Sequence, residues 1–415
     1  MEETQKDGFG VFAWVLFSLA ILNFFNTGVL RFYVGMAMCL AVAILLLTGK
    51  GLGYISGLKK VTFFSLLTFT FIYGLSVYRF QFVDFGHFLM YALSPACFYI
   101  AGYYLATRSS DNRYKYLINS AVIVSSAIFG FFCVFYTIKS TGTIFDPYNG
   151  SRYITNFWTG DPLNTTLVGV YVSLGIGMLA VLFIKAESKL TSVIKILLSA
   201  IFLISAYCVY FLANRTSLVI GVAAPLITLL IIYNKSKALI RVISGIILVC
   251  AVFYFSYSAN LFDIKSRIED SPLGHRFANQ SLDEDLRFVV WREAGRGLID
   301  YPEGGRATSL DAVAAHNLWL DVGWSAGVIA FIFALIFTIS STVDFIASLS
   351  QKGIPVLLKG ILISMMISFI LSCAVEPIIE GVFTYFLAFC FFVAFVSGMK
   401  FEQKSKDRAK IDSYS

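Results

Sequence analysis

The sequence has few charged residues, few histidines and no closely spaced pair of cysteines. These shortages restrict the class of protein that it can encode. Only 14% of the 415 residues are charged, whereas a soluble domain has about 25%. Mean hydropathy is +0.78, which excludes an ordinary soluble protein and indicates an integral membrane protein. The seven cysteines form no Cys-x-x-Cys pair and all lie in apolar segments. That placement argues against a disulfide framework and a zinc-ligand set.

Long apolar segments make up most of the sequence. A helix needs about 20 apolar residues to cross a bilayer, and twelve segments approach that length. The sequence therefore predicts an all-α integral membrane protein with about 12 transmembrane helices. The predicted spans are roughly 11–29, 32–48, 61–78, 87–107, 116–138, 163–184, 193–213, 216–233, 239–258, 317–343, 354–375 and 381–399.

The distribution of Lys and Arg predicts the orientation of these spans. One set of alternate loops, together with both termini, holds 20 of the 32 Lys and Arg residues. Seven of the others lie in one long loop, 259–316, and long loops have little influence on topology. Both termini are therefore predicted to be cytoplasmic. Loop 259–316, a smaller loop at 139–162 and a hairpin tip at Asn214 and Arg215 are predicted on the outer side.

The long loop contains one stretch with helical periodicity. In LRFVVWREAGRGLI, residues 286–299, apolar side chains recur near helical spacing. This pattern predicts a short amphipathic helix that lies along the membrane surface. The glycines and Pro302 that follow would turn the chain back towards His316.

His316 opens the tenth predicted span, in the stretch AHNLWLDVGWSAG at 315–327. Histidine exchanges a proton near neutral pH, which suits a general base. Asn317 is a predicted N-cap, and Asp321 lies one turn later on the same helix face. The alternative is that His316 is simply an interfacial residue. The other two histidines, His87 and His275, lack comparable polar neighbours in sequence.

Arg215 is the most conspicuous cation of the outer side. It lies in LANRTSLVIG, between two apolar helices with no loop to carry it into water. A guanidinium at that depth is costly without a partner, which favours a functional role. Glu376 and Glu380, at the outer end of the eleventh span, are the acids available to neutralise it.

Three more arginines are predicted on the outer side: Arg152 in the smaller loop, and Arg287 and Arg292 on the predicted surface helix. The planar guanidinium suits diphosphate oxygens better than the ammonium of lysine does. Each arginine could instead be a solvated or headgroup-facing charge, and that reading is favoured for Arg292 and Arg296.

A metal site is the alternative route to diphosphate chemistry. Asp283, Glu284 and Asp285 form the only acidic cluster. Consecutive carboxylates point in different directions, and the sequence has no second acidic motif to complete an oxygen cage. P-loop and His-Glu-x-x-His patterns are also missing. We therefore expect no metal.

Four stretches together resemble the bacterial O-antigen polymerase and ligase superfamily. AHNLWLDVGWSAGVIAFI resembles its His-Asn signature followed by an acid and a glycine, and NRTSLVIG its Arg segment opening a span. LRFVVWREAGRGLIDYPEGG resembles its Arg-then-aromatic loop helix, and EPIIEGVFTYF its late Glu-Pro motif. The resemblance covers about 210–400 in motifs and the first half only in layout.

The resemblance implies a membrane glycosyltransferase that works without metal or cofactor. His316 would be the general base, while Arg215, Arg287 and, less closely, Arg152 would bind the diphosphate of the donor. Supporting roles fall to residues around the base, namely Asn317, Asp321 and Glu376.

The implied donor is an undecaprenyl-diphosphate-linked glycan at the periplasmic face of the inner membrane. In a polymerase, the acceptor is another lipid-linked repeat unit; in a ligase, it is lipid A-core of lipopolysaccharide. The resemblance also implies a chain-length regulator protein as a partner. It does not imply binding to nucleic acid. Ligases often have a second histidine where this chain has Ala314, which favours the polymerase.

On this basis the chain divides into N-terminal helices at 1–210, a polymerase/ligase-like region at 211–400 and a basic cytoplasmic tail at 401–415. A transporter is the alternative of another class. Transporters usually place ionisable residues at mid-membrane, whereas Asp321, Lys359 and Glu376 lie towards span ends.

Overall fold

The fold was analysed in a computed structural model. It describes residues 10–26, 30–48, 57–109, 111–144, 152–233, 254–260, 263–269, 286–351 and 353–412, with the single residues 244, 251 and 274. Nearly all of the regular structure in these residues is α-helical, as the composition predicts.

Five helices form the first part of the chain. They are α1 (Val11–Phe24), α2 (Leu30–Leu47), α3 (Lys60–Arg79), α4 (Phe85–Arg108) and α5 (Asn112–Thr141). A two-stranded antiparallel hairpin follows, in which Ile154 pairs with Leu163.

The remaining helices carry most of the predicted motifs. They are α6 (Thr165–Ile176, continued by a 3-10 helix over Gly177–Phe183), α7 (Lys189–Leu212), α8 (Arg215–Tyr233), α9 (Ile264–Glu269), α10 (Leu286–Asp300), α11 (Leu318–Leu349), α12 (Val356–Val375), α13 (Ile378–Gly381) and α14 (Phe383–Asp412).

The protein is a multi-pass membrane protein by the length and composition of its helices. Eight described helices are long and apolar enough to cross a bilayer, and three shorter apolar helices coincide with the first, second and last predicted spans. The predicted span 239–258 falls largely outside the described residues. The count of twelve therefore stays a prediction.

The chain forms two compact units, each assembled from separate stretches of sequence. The first unit comprises residues 1–125, 287–354 and 376–415. Inside it, α4 and α14 pack closely through small residues. A Cβ at Gly102 would overlap the backbone of Phe391, and one at Gly398 would overlap the carbonyl of Tyr103. Such small-residue contacts are the usual way for membrane helices to approach each other.

The second unit comprises residues 126–286 and 355–375. Its central helix, α12, presents a stripe of buried serines, one per turn, at Ser364, Ser368 and Ser372. Ser364 Oγ lies 3.0 Å from Thr228 Oγ1, and Ser372 Oγ lies 3.3 Å from Ser173 Oγ. These hydroxyl pairs join α12 to α8 and α6, since a polar side chain in an apolar setting is stable only when it finds a partner.

Helix α11 differs from the continuous span that the sequence predicts over 317–343. Gly327 has φ 84° and ψ 178°, which is not helical. Trp319 Nε1 donates to Thr338 Oγ1 at 3.0 Å, although 19 residues of straight helix would separate the two by about 28 Å. The nine residues Leu318–Ala326 therefore fold back beside the second half of α11. That second half, 328–349, is about 33 Å long and can cross a bilayer alone.

The turn at Gly327 is held by the end of the long loop. Val328 N donates to Pro302 O at 2.9 Å, and Gly305 N donates to Ser325 O at 3.0 Å. The two backbones are so close that a Cβ at Gly327 would overlap Pro302 O, and one at Gly304 would overlap the backbone of Gly327. Glycine is required at Gly327 for a second reason, because its φ and ψ lie in a region that other residues rarely adopt.

We predict that Gly327→Ala lowers the free energy of unfolding by about 3 kcal/mol or more, because backbone strain and steric overlap add together. Heating the detergent-solubilised protein and following loss of the monodisperse peak measures this. Gly353→Ala is the matched control, since Gly353 has φ 97° but nothing within 4 Å of an added Cβ. Equal loss in both variants would mean that the contact with Pro302 contributes nothing.

Candidate functional site

Helix α10 packs against the chain that returns from it. Val290 and Ala294, on its apolar face, form a buried cluster with Ala315, and Leu310, Ala312 and Leu320 pack around that cluster. The predicted helix is therefore confirmed, but this face is used within the protein. The opposite face exposes Phe288 and Ile299, with 63% and 81% of their surfaces accessible. Contact of α10 with the membrane surface stays a prediction.

The turn that precedes α11 is built around Asp321. Asn317 is the N-cap of α11, as predicted, and its side chain accepts from Leu320 N at 3.1 Å. The buried carboxylate of Asp321 reaches back and accepts from Ala315 N at 2.6 Å and Asn317 N at 3.3 Å. His316 lies between these two residues with φ 53°. Asp321 therefore fixes the backbone on both sides of the histidine.

Glu376 brings a predicted arginine and the predicted base together. Its side chain is 1% exposed. Arg287 Nη2 lies 3.3 Å from Glu376 Oε1, and His316 Nδ1 lies 3.8 Å from Glu376 Oε2. The guanidinium and the imidazole are thus on opposite sides of one carboxylate, and about a quarter of each side chain is exposed. Glu376 therefore contacts Arg287 and His316, and the pairing of Glu376 with Arg215 that the sequence suggested stays a prediction.

Glu380 holds a second arginine, which the sequence analysis missed. Arg306 Nη2 lies 2.5 Å from Glu380 Oε1, and Arg306 Nε donates to Ser325 Oγ at 3.3 Å. The same carboxylate oxygen accepts from Ser325 Oγ at 2.8 Å and from the buried Tyr73 OH at 3.3 Å. One oxygen of Glu380 therefore joins the loop, α3 and the first half of α11.

Aromatic rings complete the surroundings of Arg306. The guanidinium carbon lies 4.3 Å from the ring centroid of Phe82 and 5.1 Å from that of Trp324. Arg306 N also donates to Trp324 O at 2.9 Å, and Trp324 Nε1 donates to Thr308 O at 2.9 Å. Cation–π contacts of this kind stabilise a partly desolvated guanidinium. The only sequence signal for this arrangement was the glycine pair before Arg306.

Residues Gly323 to Gly327 also match the sequence motif Gly-x-Ser-x-Gly, which is typical of the nucleophile elbow of hydrolases. An elbow places its serine on a sharp turn between a strand and a helix. Ser325 instead lies inside a helix, bonded to Glu380 and Arg306. The structural setting does not support a serine nucleophile.

Arg152 and Arg215 belong to the second unit, where the structure brings them to one hairpin tip. Helix α7 ends at Leu212, Ala213 adopts φ 46°, and Asn214 Oδ1 accepts from Ser217 N at 3.2 Å at the start of α8. The tip has two residues, as predicted, but they are Ala213 and Asn214, and Arg215 is the first residue of α8. Arg152 Nη1 donates to Leu212 O at 2.8 Å, so it binds the chain two residues before Asn214. Convergence of these arginines with His316 stays a prediction.

The other predicted positions have ordinary surroundings or lie outside the described residues. His87 is exposed at the start of α4, where its backbone N–H and ring bond to Asp84 and hold the pKa of that carboxyl below its usual value. Arg292 and Arg296 are exposed, as expected of solvated charges. His275 and the acidic cluster Asp283 to Asp285 lie outside the described residues.

The described residues offer a proton acceptor beside an anion binder. Within these residues, no group of three or more His, Cys, Asp and Glu side chains is placed to hold a metal ion. The imidazole of His316 can exchange a proton, and the carboxylate of Glu376 lies 3.8 Å from its Nδ1. The guanidinium of Arg287, one carboxylate away, can bind a phosphate or carboxylate group. Proton transfer next to an anionic group is therefore the chemistry that this arrangement allows.

The sequence matches no protein-family model and no curated protein.

We predict that Glu380→Gln lowers the free energy of unfolding by about 1–3 kcal/mol, because Arg306 keeps its place but loses its counter-charge. The exposed pair of Arg79 and Glu303, 3.8 Å apart, provides the control. Glu303→Gln should change stability by less than about 1 kcal/mol. Thermal melting of both purified variants tests this, and equal melting temperatures would contradict a structural role for Glu380.

Proposed function

We propose that this protein is a membrane glycosyltransferase that polymerises O-antigen or capsule-type repeat units. In this proposal it has twelve spans, cytoplasmic termini and a site at the periplasmic face of the bacterial inner membrane. Its donor is an undecaprenyl-diphosphate-linked oligosaccharide, and its acceptor is a second lipid-linked repeat unit. The proposal rests on the resemblance of the motifs and on one geometric observation.

That observation is the shared contact of Arg287 and His316 with the buried Glu376. A transfer from a diphosphate donor needs an anion binder and a base that reach one substrate together. Arg287 and His316 are 29 positions apart in sequence, and a third residue from a different part of the chain brings them within one carboxylate of each other. This supports a common site for proton transfer and diphosphate binding.

The reaction is a displacement at the anomeric carbon of the donor sugar. A hydroxyl oxygen of the acceptor attacks that carbon, and the bond from the carbon to the diphosphate oxygen breaks with inversion. The diphosphate leaves with the electron pair, and Nε2 of His316 takes the hydroxyl proton. Glu376, 3.8 Å away on the Nδ1 side of the ring, offsets the positive charge of the imidazolium that forms.

Charge balance explains why more than one arginine is expected at the donor. Arg287 and Glu376 cancel each other, so this pair alone gives no net attraction for an anion. The negative charge on the leaving diphosphate then requires further cations, and Arg215 and Arg152 fill that role in the proposal.

Complementation of a gene-deletion strain tests the function. His316→Ala should reduce transfer about 100- to 10,000-fold, the usual contribution of a general base, and Arg215→Ala and Arg287→Ala should also abolish the long-chain glycan. Surface glycan is separated on a gel at matched membrane abundance. His87→Ala and Arg292→Ala are matched controls, since both side chains are exposed and outside the proposed site.

The pattern of remaining glycan distinguishes the acceptors. Loss of the ladder with retention of single-repeat product supports the polymerase. Loss of all attached repeats means that the protein is the ligase, which transfers the glycan to lipid A-core. A normal ladder in all three site variants would refute the transferase and leave His316 as an interfacial residue.

A further inference from the structure

Trp291 lies one helical turn beyond Arg287 on α10. Residues four apart are neighbours on a helix surface, so the indole and the guanidinium project from the same side. That side also carries the buried Val290 and Ala294. The indole is further fixed by Phe288, whose ring meets it edge-on with centroids 5.6 Å apart.

The indole N–H of Trp291 is buried without an acceptor in the part of the chain that the structure describes. Two nearby tryptophans differ in this respect, because Trp319 Nε1 donates to Thr338 Oγ1 and Trp324 Nε1 donates to Thr308 O. A buried donor without a partner costs about 1–3 kcal/mol, and folded proteins rarely keep one without a reason.

A second unpaired polar atom lies in the same region. His316 Nδ1 is buried and forms no hydrogen bond with a described residue, and its distance of 3.8 Å to Glu376 Oε2 is too long for one. Arg287 contacts the other oxygen of that carboxylate. Both unpaired atoms therefore belong to neighbours of this ion pair, since Trp291 is one helical turn from Arg287 and His316 faces Glu376.

We infer that Trp291 is a ligand-binding residue whose indole N–H donates to an anionic phosphate oxygen held at Arg287. An indole N–H is a donor only, so its partner must be an acceptor. Beside a guanidinium, a negatively charged oxygen is the acceptor that both groups favour. The inference rests on the proposed function for the source of the phosphate, a prenyl diphosphate, while a phospholipid headgroup offers the same chemistry.

The test compares ligand binding with stability in the purified, detergent-solubilised protein. Trp291→Phe keeps an aromatic ring and removes the N–H. We expect it to bind geranylgeranyl diphosphate about 10- to 100-fold more weakly than wild type, the usual effect of losing a hydrogen bond to a charged group. Its melting temperature without ligand should stay equal or rise, because no protein acceptor loses its donor.

Trp319→Phe and Trp324→Phe are the matched controls. Each removes an N–H that the protein itself uses, so each should lower the melting temperature and leave the affinity for geranylgeranyl diphosphate unchanged. Arg287→Ala should lose binding of the same probe. Phosphatidylglycerol serves as the second probe, to separate a prenyl diphosphate from a phospholipid.

Each result has one meaning. Equal affinity of wild type and Trp291→Phe for geranylgeranyl diphosphate overturns the inference and leaves the proposed function standing. A clear fall in the melting temperature of Trp291→Phe without ligand overturns it as well, since the N–H then serves the fold. Trp291-dependent binding of phosphatidylglycerol alone supports the phosphate contact and counts against the proposed donor. Binding of neither probe by wild type overturns both.

Discussion

Two buried or partly buried carboxylates, one helical turn apart on either side of Pro377, hold the long loop of the first unit. Glu376 contacts Arg287 at the start of segment 287–316, the part of the loop that belongs to the first unit, and His316 at the end of that segment. Glu380 contacts Arg306 between them. A carboxylate removed from water needs such partners, because an unpaired buried charge costs several kcal/mol. The conformation of segment 287–316 and the burial of these acids therefore depend on each other. Arg287 and His316, both proposed to act in this unit, each contact that short segment through Glu376.

Local sequence rules predicted the secondary structure around the site well. The helix over 286–299, the cap at Asn317 and the hairpin tip at Asn214 all depend on neighbours within four residues, and the structure has each of them. Apolar segment lengths likewise located eleven of the helices, since hydrophobic length is also a local property. The resemblance of the motifs led us to expect Arg287 and His316 in one site. Their shared contact with Glu376 is a tertiary contact, which local sequence rules do not predict.

The remaining features depend on contacts between residues far apart in sequence. Hydropathy cannot distinguish a straight span from one that folds back, so the turn at Gly327 was not predicted. Arg306 was overlooked because a loop arginine is usually solvated, and its partner Glu380 is 74 positions away. Glu380 had been considered only for Arg215, since both were expected on the outer side. In each case the deciding interaction joins elements that the sequence alone does not bring together.

The reversal of α11 also sets where His316 lies along the second half of that helix. Because Leu318–Ala326 runs back along the second half of the helix, Trp319 reaches Thr338, eleven residues beyond the turn, and His316 lies farther still from Gly327. Eleven residues of helix measure about 16 Å. The chain that precedes α11 is therefore attached to it at two levels, at the turn through Pro302 and Val328 and near the N-cap through Ala315 and Asp321.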